Sequence, residues 1–239
     1  VFASLMCQLQ AGDHVVSATA LFGSCREIIK NIITRYGIKV SFVDGKNIKS
    51  WEKEIKSNTK IFFFETPSNP CLELVDMEAV CKLAKKNNIK VIVDNILVSP
   101  VLQNPSKFGA DIIVYSGTKH IDGQGRTMGG AILSSEKFRE EILKPFLRHT
   151  GPCISPFNAW VLSKGLETVH LRVVEQSKTT EKMVEFLSEH NKIDSVNYPF
   201  KKNHAQYELA KKQQKMGGNV LSFYIKGNKE ETFKFLNNL

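Results

Sequence analysis

The chain has no apolar run approaching the roughly eighteen residues that a membrane-spanning helix needs, so no helical transmembrane segment is expected. Its first residues, VFASLMCQLQAGDH, carry no basic n-region and pass straight into fold-like sequence, which argues against a secretory signal. They also lack an initiating Met, and the last residues, ETFKFLNNL, stop inside a helical pattern. Both ends are therefore expected to be cut, and the chain reads as an internal fragment. Cysteine is sparse: Cys7, Cys25, Cys71, Cys81 and Cys153 make an odd count of 5 without a CxxC pair. Such usage argues against a zinc site or a disulfide framework and fits a reducing cytoplasm; no metal is expected. Internal repeats and low-complexity linkers are missing too. So is any interleaving of aromatic residues among the lysines, which bears on the formal charge of +9. Lys82, Lys85, Lys86, Lys211, Lys212 and Lys215 are scattered over helix faces, so a solvated surface is preferred over a nucleic-acid patch. A basic nucleic-acid-binding module stays open as the non-enzymatic alternative.

What is present is enough to bury a core. With 239 residues and 42% hydrophobic content, the chain suits one large domain or one and a half. HVVSATA, KVSFVD, TKIFFFE, KVIVDN, DIIVYSG and GGAILSS read as strands. Between them, Ser24 is expected to cap a helix over CREIIKNIITRYG that ends at Gly37, Asn47 to open a second, and Asp76 to cap MEAVCKLAKKNN. Strands apolar on both faces, alternating with helices, indicate an α/β fold with a mostly parallel sheet covered on both sides. SEKFREEILKPFLRHTG is predicted to form one helix, and a single long helix is predicted from Pro156 to His190. VNYP, HAQYELAKKQQ, NVLSFYIKG and a last helix suggest the beginning of a smaller α+β domain. The expected organisation is a large domain over 1–152, a long connecting helix over 153–190, and a truncated small domain over 191–239.

In a parallel sheet, ligands sit at the carboxyl ends of the strands, and the polar residues of this chain fall there. Glu65 to Asn69 follow IFFF, Asp94 and Asn95 follow VIV, and Ser116 to Lys119 follow IIVY. Lys119, flanked by Ser116 and Thr118 and followed by glycines, suits an amine that is desolvated and aimed at a carbonyl cofactor. The hydroxyls can hold a phosphate; the alternative is an ordinary loop lysine. Asp94, in apolar surroundings, needs a cationic partner such as a protonated ring nitrogen, unless it only caps a turn. Asn69, between two prolines, can hold a ring oxygen or make an Asx-turn. Phe22 can stack on a ring or belong to the core. Arg126 can meet an anion or lie exposed, His120 can be a base or a turn residue, and His149 can close a helix end.

Taken together, VDN, SGTKHIDGQGR, ETPSNP and SPFNAWVLSKGLETVHLR resemble the Cys/Met-metabolism enzymes dependent on pyridoxal 5'-phosphate, the cystathionine γ-synthase-like family. The resemblance runs along essentially the whole chain and implies the fold type I, aspartate-aminotransferase-like architecture. It implies that Lys119 bonds the cofactor and serves as base at Cα, Asp94 meets the ring nitrogen and Asn69 the ring oxygen. It further implies that Ser116 and Thr118 hold the phosphate and Phe22 stacks on the ring. LFGSC, TKHIDGQGR and LRHTGPCISPFNAW are most similar to the O-succinylhomoserine sulfhydrylases of that family. Cystathionine synthases and lyases usually carry a tyrosine where Phe22 stands. The implied reaction is γ-replacement of the acyl group of an O-acylhomoserine by sulfide, with cystathionine γ-synthase or γ-lyase chemistry as alternatives. The family also implies a cytoplasmic homotetramer, a dimer of dimers. Its phosphate-cradling helix and partner-chain Tyr and Arg are expected upstream of Val1, and its substrate-carboxylate arginine beyond Leu239. The 239 residues are thus expected to be inactive alone.

Overall fold

The computed structural model describes residues 1–239. Six strands form the main sheet: β1 (His14–Ala18), β2 (Lys39–Val43), β3 (Thr59–Glu65), β4 (Lys90–Asp94), β5 (Ile112–Ser116) and β6 (Gly130–Leu133). Their order is β2-β1-β3-β4-β5-β6. The first five run parallel, and β6 returns antiparallel to β5. The α/β sheet expected from the sequence is therefore present.

The apolar strands explain the layering. Successive side chains in a strand point to opposite faces. Ile61 and Phe63 of β3 enter one core with Val15, Ile92 and Val114. Phe62 and Phe64 enter the other with Val16, Val91 and Val93. The first face is covered by α1 (Phe2–Met6) and by α2 (Gly23–Glu27), which continues through a wide turn at Ile28–Ile32 and a tight one at Ile33–Tyr36. The second face is covered by α3 (Ile48–Lys53) and α4 (Met77–Lys86). Trp51 of α3 is fully buried against Phe62 and Phe64, with ring centroids 5.0 and 5.8 Å away. Asn47 and Asp76 cap α3 and α4 through Lys49 N–H and Ala79 N–H, as their positions in the sequence suggest.

A short α5 (Ser99–Leu102) follows β4. After β6, α6 (Glu136–Phe138) leads through a wide turn at Arg139–Leu143 into α7 (Lys144–Thr150), as one helical run. The predicted single helix from Pro156 to His190 is two helices, α8 (Pro156–Leu166) and α9 (Val169–Glu189). The break has a tertiary cause. Gly165 abuts the Ile121 carbonyl, so closely that a Cβ would lie 2.1 Å from it. The Gly165 carbonyl is taken by Thr168 N–H and by the Arg172 guanidinium instead of continuing the helical ladder. The cap at Ser24 also differs: α2 begins at Gly23 with Phe22 in the capping position and no side-chain cap. A second sheet pairs β7 (Ile193–Asn197) with β8 (Ser222–Ile225) antiparallel, accompanied by α10 (Tyr207–Gln213) and α11 (Lys229–Leu236). No helix is long and apolar enough to cross a membrane.

Candidate active site

The carboxyl ends of β3, β4 and β5 open into a cleft of about 820 Å³. Phe22, Asn69, Asp94, Ser116, Thr118 and Lys119, the six residues that the family resemblance assigns to the cofactor, line it. They arrive from four separate stretches of chain, which only the parallel sheet brings together. Lys119, Asn69 and Phe22 are exposed at its mouth, whereas Asp94 is buried. The sequence suggested a desolvated amine; within this chain Lys119 is accessible instead, because it projects from a turn rather than from β5 itself.

That turn, Gly117–Ile121, is wide, and Lys119 leaves helical geometry within it (φ −91°, ψ −110°). Its backbone runs close to the next strand: Gly117 N–H donates to Gly129 O at 2.7 Å. Gly129 N–H in turn donates to Thr118 Oγ1 at 3.2 Å, which orients that hydroxyl. A Cβ on Gly117 would lie 3.3 Å from the Gly129 carbonyl carbon and oxygen, so this close approach favours glycine. Asn69 sits in a loop with cis peptide bonds at Thr66–Pro67 and Asn69–Pro70.

Two carboxylates lie at the inner end of the cleft. Glu65 and Asp94 are register partners on β3 and β4, 1% and 7% exposed. Cys25 Sγ donates to Asp94 Oδ2 at 3.5 Å, while Asp94 Oδ1 has no partner. Burial pushes the Asp94 carboxyl above its ordinary range, outweighing the help of the Cys25 thiol. Glu65 Oε2 accepts Phe22 N–H at 2.6 Å, and Oε1 is unpaired. Burial, with Asp94 adding repulsion, pushes Glu65 up to about 7. Each of these buried carboxyls has one oxygen without a close hydrogen bond, a setting that a cation entering the cleft would relieve.

The remaining sequence candidates divide. The His120 ring donates to Leu97 O at 3.1 Å, and burial holds its pKa below the usual value. Arg126 is engaged rather than free. Its Nε donates to Asp122 Oδ1 at 2.9 Å and its backbone N–H to Asp122 Oδ2 at 2.6 Å. His149 lies in the last turn of α7 and does not line the cleft. Sequence reasoning assigned no role to Glu65 or Arg172. The first ends an apolar strand as an ordinary polar residue would; the second lies far along the chain from the lysine turn it touches.

The residues present fit pyridoxal phosphate. The orphan Asp94 Oδ1 asks for a cationic N–H, Lys119 supplies an amine for a carbonyl, and the Ser116 and Thr118 hydroxyls suit an anion. Comparison with known proteins agrees. The family model for Cys/Met metabolism PLP-dependent enzymes matches residues 1–239. An O-succinylhomoserine sulfhydrylase of Mycobacterium tuberculosis (strain ATCC 25618 / H37Rv) is 47% identical over 225 residues, covering 94% of this chain and 55% of the relative. An L-methionine gamma-lyase of Fusobacterium nucleatum subsp. polymorphum is 40% identical over 241 residues, covering 100% of this chain and 61% of the relative. The crystal structure of metB from Corynebacterium glutamicum superposes with a TM-score of 0.94 at 35% identity, covering 98% of this chain and 60% of that one. The chain thus spans somewhat over half the length of the curated relatives it matches. It belongs to the Cys/Met metabolism PLP-dependent enzymes, with pyridoxal 5'-phosphate as its cofactor.

Proposed function

We propose that this chain carries the cofactor-holding part of an O-succinylhomoserine sulfhydrylase, which converts O-succinylhomoserine and sulfide into homocysteine and succinate in methionine biosynthesis. The carrying observation is that the Lys119 amine and the unpaired Asp94 Oδ1 line the same cleft. The 47% identity to an enzyme named for that reaction supports the substrate. Pyridoxal phosphate, when bound, supplies an electron sink for charge developing at Cα of an amino acid.

The protein's residues do the rest. Lys119 Nζ would bond the cofactor and, once released, would move the proton at substrate Cα. Asp94 Oδ1 would accept the ring N–H and keep that nitrogen protonated. Ser116 Oγ and Thr118 Oγ1 would hold the phosphate, the latter aimed by Gly129 N–H. The Asn69 amide would hold the ring oxygen. Phe22 covers a ring face and keeps water from it; lacking a phenol, it takes no part in moving protons. With Cα and Cβ protons removed, succinate leaves Cγ and sulfide adds there, and return of the protons completes homocysteine. In this reading residues 1–152 form the cofactor domain, 153–190 the connection and 191–239 part of a smaller domain. The full protein works as a cytoplasmic homotetramer.

A second reading, γ-lyase chemistry, is favoured by the 40% identity to an enzyme named L-methionine gamma-lyase. Product analysis of the full-length protein separates the two. Homocysteine from O-succinylhomoserine and sulfide, at a rate exceeding that with O-acetylhomoserine or with cysteine as nucleophile, supports the first. Breakdown of methionine without such synthesis replaces it with the second. Cofactor-loaded protein inert towards every one of these substrates overturns both.

A further inference from the structure

Arg172 lies on α9, yet most of its hydrogen bonds leave that helix. Nη1 donates to His120 O at 2.9 Å, and Nη2 to Ile121 O at 3.3 Å and Gly165 O at 2.8 Å. Nε donates to Thr168 Oγ1 at 3.0 Å. All its partners are carbonyls and one hydroxyl; no ion pair engages it. A guanidinium is a rigid planar fork of donors, so fixing it fixes the carbonyls it holds. Two of those carbonyls belong to the residues immediately after Lys119.

The surrounding glycines have the shape of this clamp. Gly123 adopts φ +73°, and a Cβ there would lie 1.8 Å from Arg172 Nη1. Gly165 faces the Ile121 carbonyl from the other side, with room for a hydrogen only. Within the turn, Gly123 N–H closes on Lys119 O at 2.7 Å, and Asp122 N–H on Gly117 O at 2.9 Å. The turn is thus held from within by its own backbone and from outside by α8 and α9. Lys119 is the one residue of it that departs from helical geometry. The peptide plane just after Lys119 carries its own carbonyl, which Gly123 N–H takes, and the next two planes carry the His120 and Ile121 carbonyls that Arg172 holds, so the guanidinium fixes the backbone that the lysine projects from.

We propose that Arg172 is a positioning residue for Lys119: by gripping the His120 and Ile121 carbonyls it holds the turn in the one conformation that aims the amine at the cofactor carbonyl. The inference rests on Lys119 being the cofactor-bonding lysine. Arg172 borders the cleft, but its role runs through the turn: three of its hydrogen bonds go to backbone carbonyls and one to the Thr168 hydroxyl.

The test is the rate at which cofactor-free, full-length protein captures pyridoxal phosphate covalently, followed by the visible band and by borohydride fixation with peptide mapping. Arg172→Met is expected to slow capture about tenfold or more, because misaiming a reacting group by about 1 Å carries penalties of that order or larger. In a Lys119→Ala background the same change is expected to alter non-covalent cofactor affinity by less than about threefold, since its effect runs through the lysine. Arg172→Lys, which can still reach one carbonyl, and guanidinium added to the Met variant are both expected to restore part of the rate. Should Arg172→Met not fold, Gly165→Ala applies the same disturbance with Arg172 intact, by displacing the Ile121 carbonyl, and is expected to slow capture likewise. Capture at the wild-type rate in the folded variants overturns the proposal. So does an equal loss of affinity when Lys119 is absent, which is what a purely structural role produces. Wild-type protein that fixes cofactor elsewhere than Lys119 overturns the assignment of the lysine itself.

Discussion

Glu65→Gln is expected to stabilise the cofactor-free protein at alkaline pH and to leave it unchanged in acid. Glu65 is 1% exposed, and burial raises its carboxyl from the usual 4.5 to about 7. Below pH 4.5 the group is protonated in folded and unfolded chains alike and costs nothing. Between 4.5 and 7 the folded protein holds the proton more tightly than the unfolded chain, so stability falls as pH rises. Above 7 the buried charge is present in full. At about 1.4 kcal/mol per pH unit, the cost reaches about 3 kcal/mol. The glutamine keeps an oxygen for Phe22 N–H and carries no charge, so the wild type should lag it by about that amount at pH 8. For a protein of this size the difference corresponds to roughly 6–12 °C in Tm. Denaturant titration of both proteins without cofactor, at pH 4.5 and pH 8, is the assay. A wild-type-to-variant difference that does not change between the two pH values, or that favours the wild type at pH 8, refutes the reasoning.

Asp94→Asn removes a charge-assisted acceptor worth about 1.5–3 kcal/mol, so cofactor affinity should fall roughly 10–150-fold in equilibrium dialysis. The same change removes a buried carboxylate that has no cationic partner in the cofactor-free protein, which should therefore become more stable; opposite signs in the two measurements are the signature. Phe22→Ala should weaken cofactor binding by about 0.5–1.5 kcal/mol beyond the loss of apolar contact, also read by dialysis, if the ring stacks there. Trp51→Ala empties a fully buried site against Phe62 and Phe64 and should cost about 3–5 kcal/mol in denaturant unfolding.

The sheet was legible because its strands are apolar on both faces, a pattern that depends on no distant partner. Phe62 and Phe64 enter one core and Phe63 the other, as strand periodicity alone dictates. The placing of polar residues at three strand ends was legible for the same reason, and six of them, Glu65, Asn69, Asp94, Ser116, Thr118 and Lys119, line one cleft. What escaped was set by contacts across the chain. Ser24 looks like a helix cap, but the α2 start is served by the Glu65 carboxylate, which takes the Phe22 N–H from 43 residues away. Glu65 was one of several polar residues at the end of β3, and only the placing of β4 beside it shows that it is buried next to Asp94. The stretch around Gly165 to Thr168 carries no proline, and its helical pattern continues; the break comes from the Ile121 carbonyl and the Arg172 guanidinium. Arg126 is exposed, one of the two readings that its loop allowed; its pairing with Asp122, four residues earlier, was not foreseen.

The central claim is that Lys119 bonds the cofactor with Asp94 at the ring nitrogen. The full-length protein should be purified with pyridoxal phosphate, its visible spectrum recorded, and borohydride added before peptide mapping, beside Lys119→Ala. The account predicts a visible band in the wild type, the reduced cofactor on the peptide containing Lys119, and neither in the variant. A wild-type protein without the band in excess cofactor, or with the label on another lysine, contradicts it.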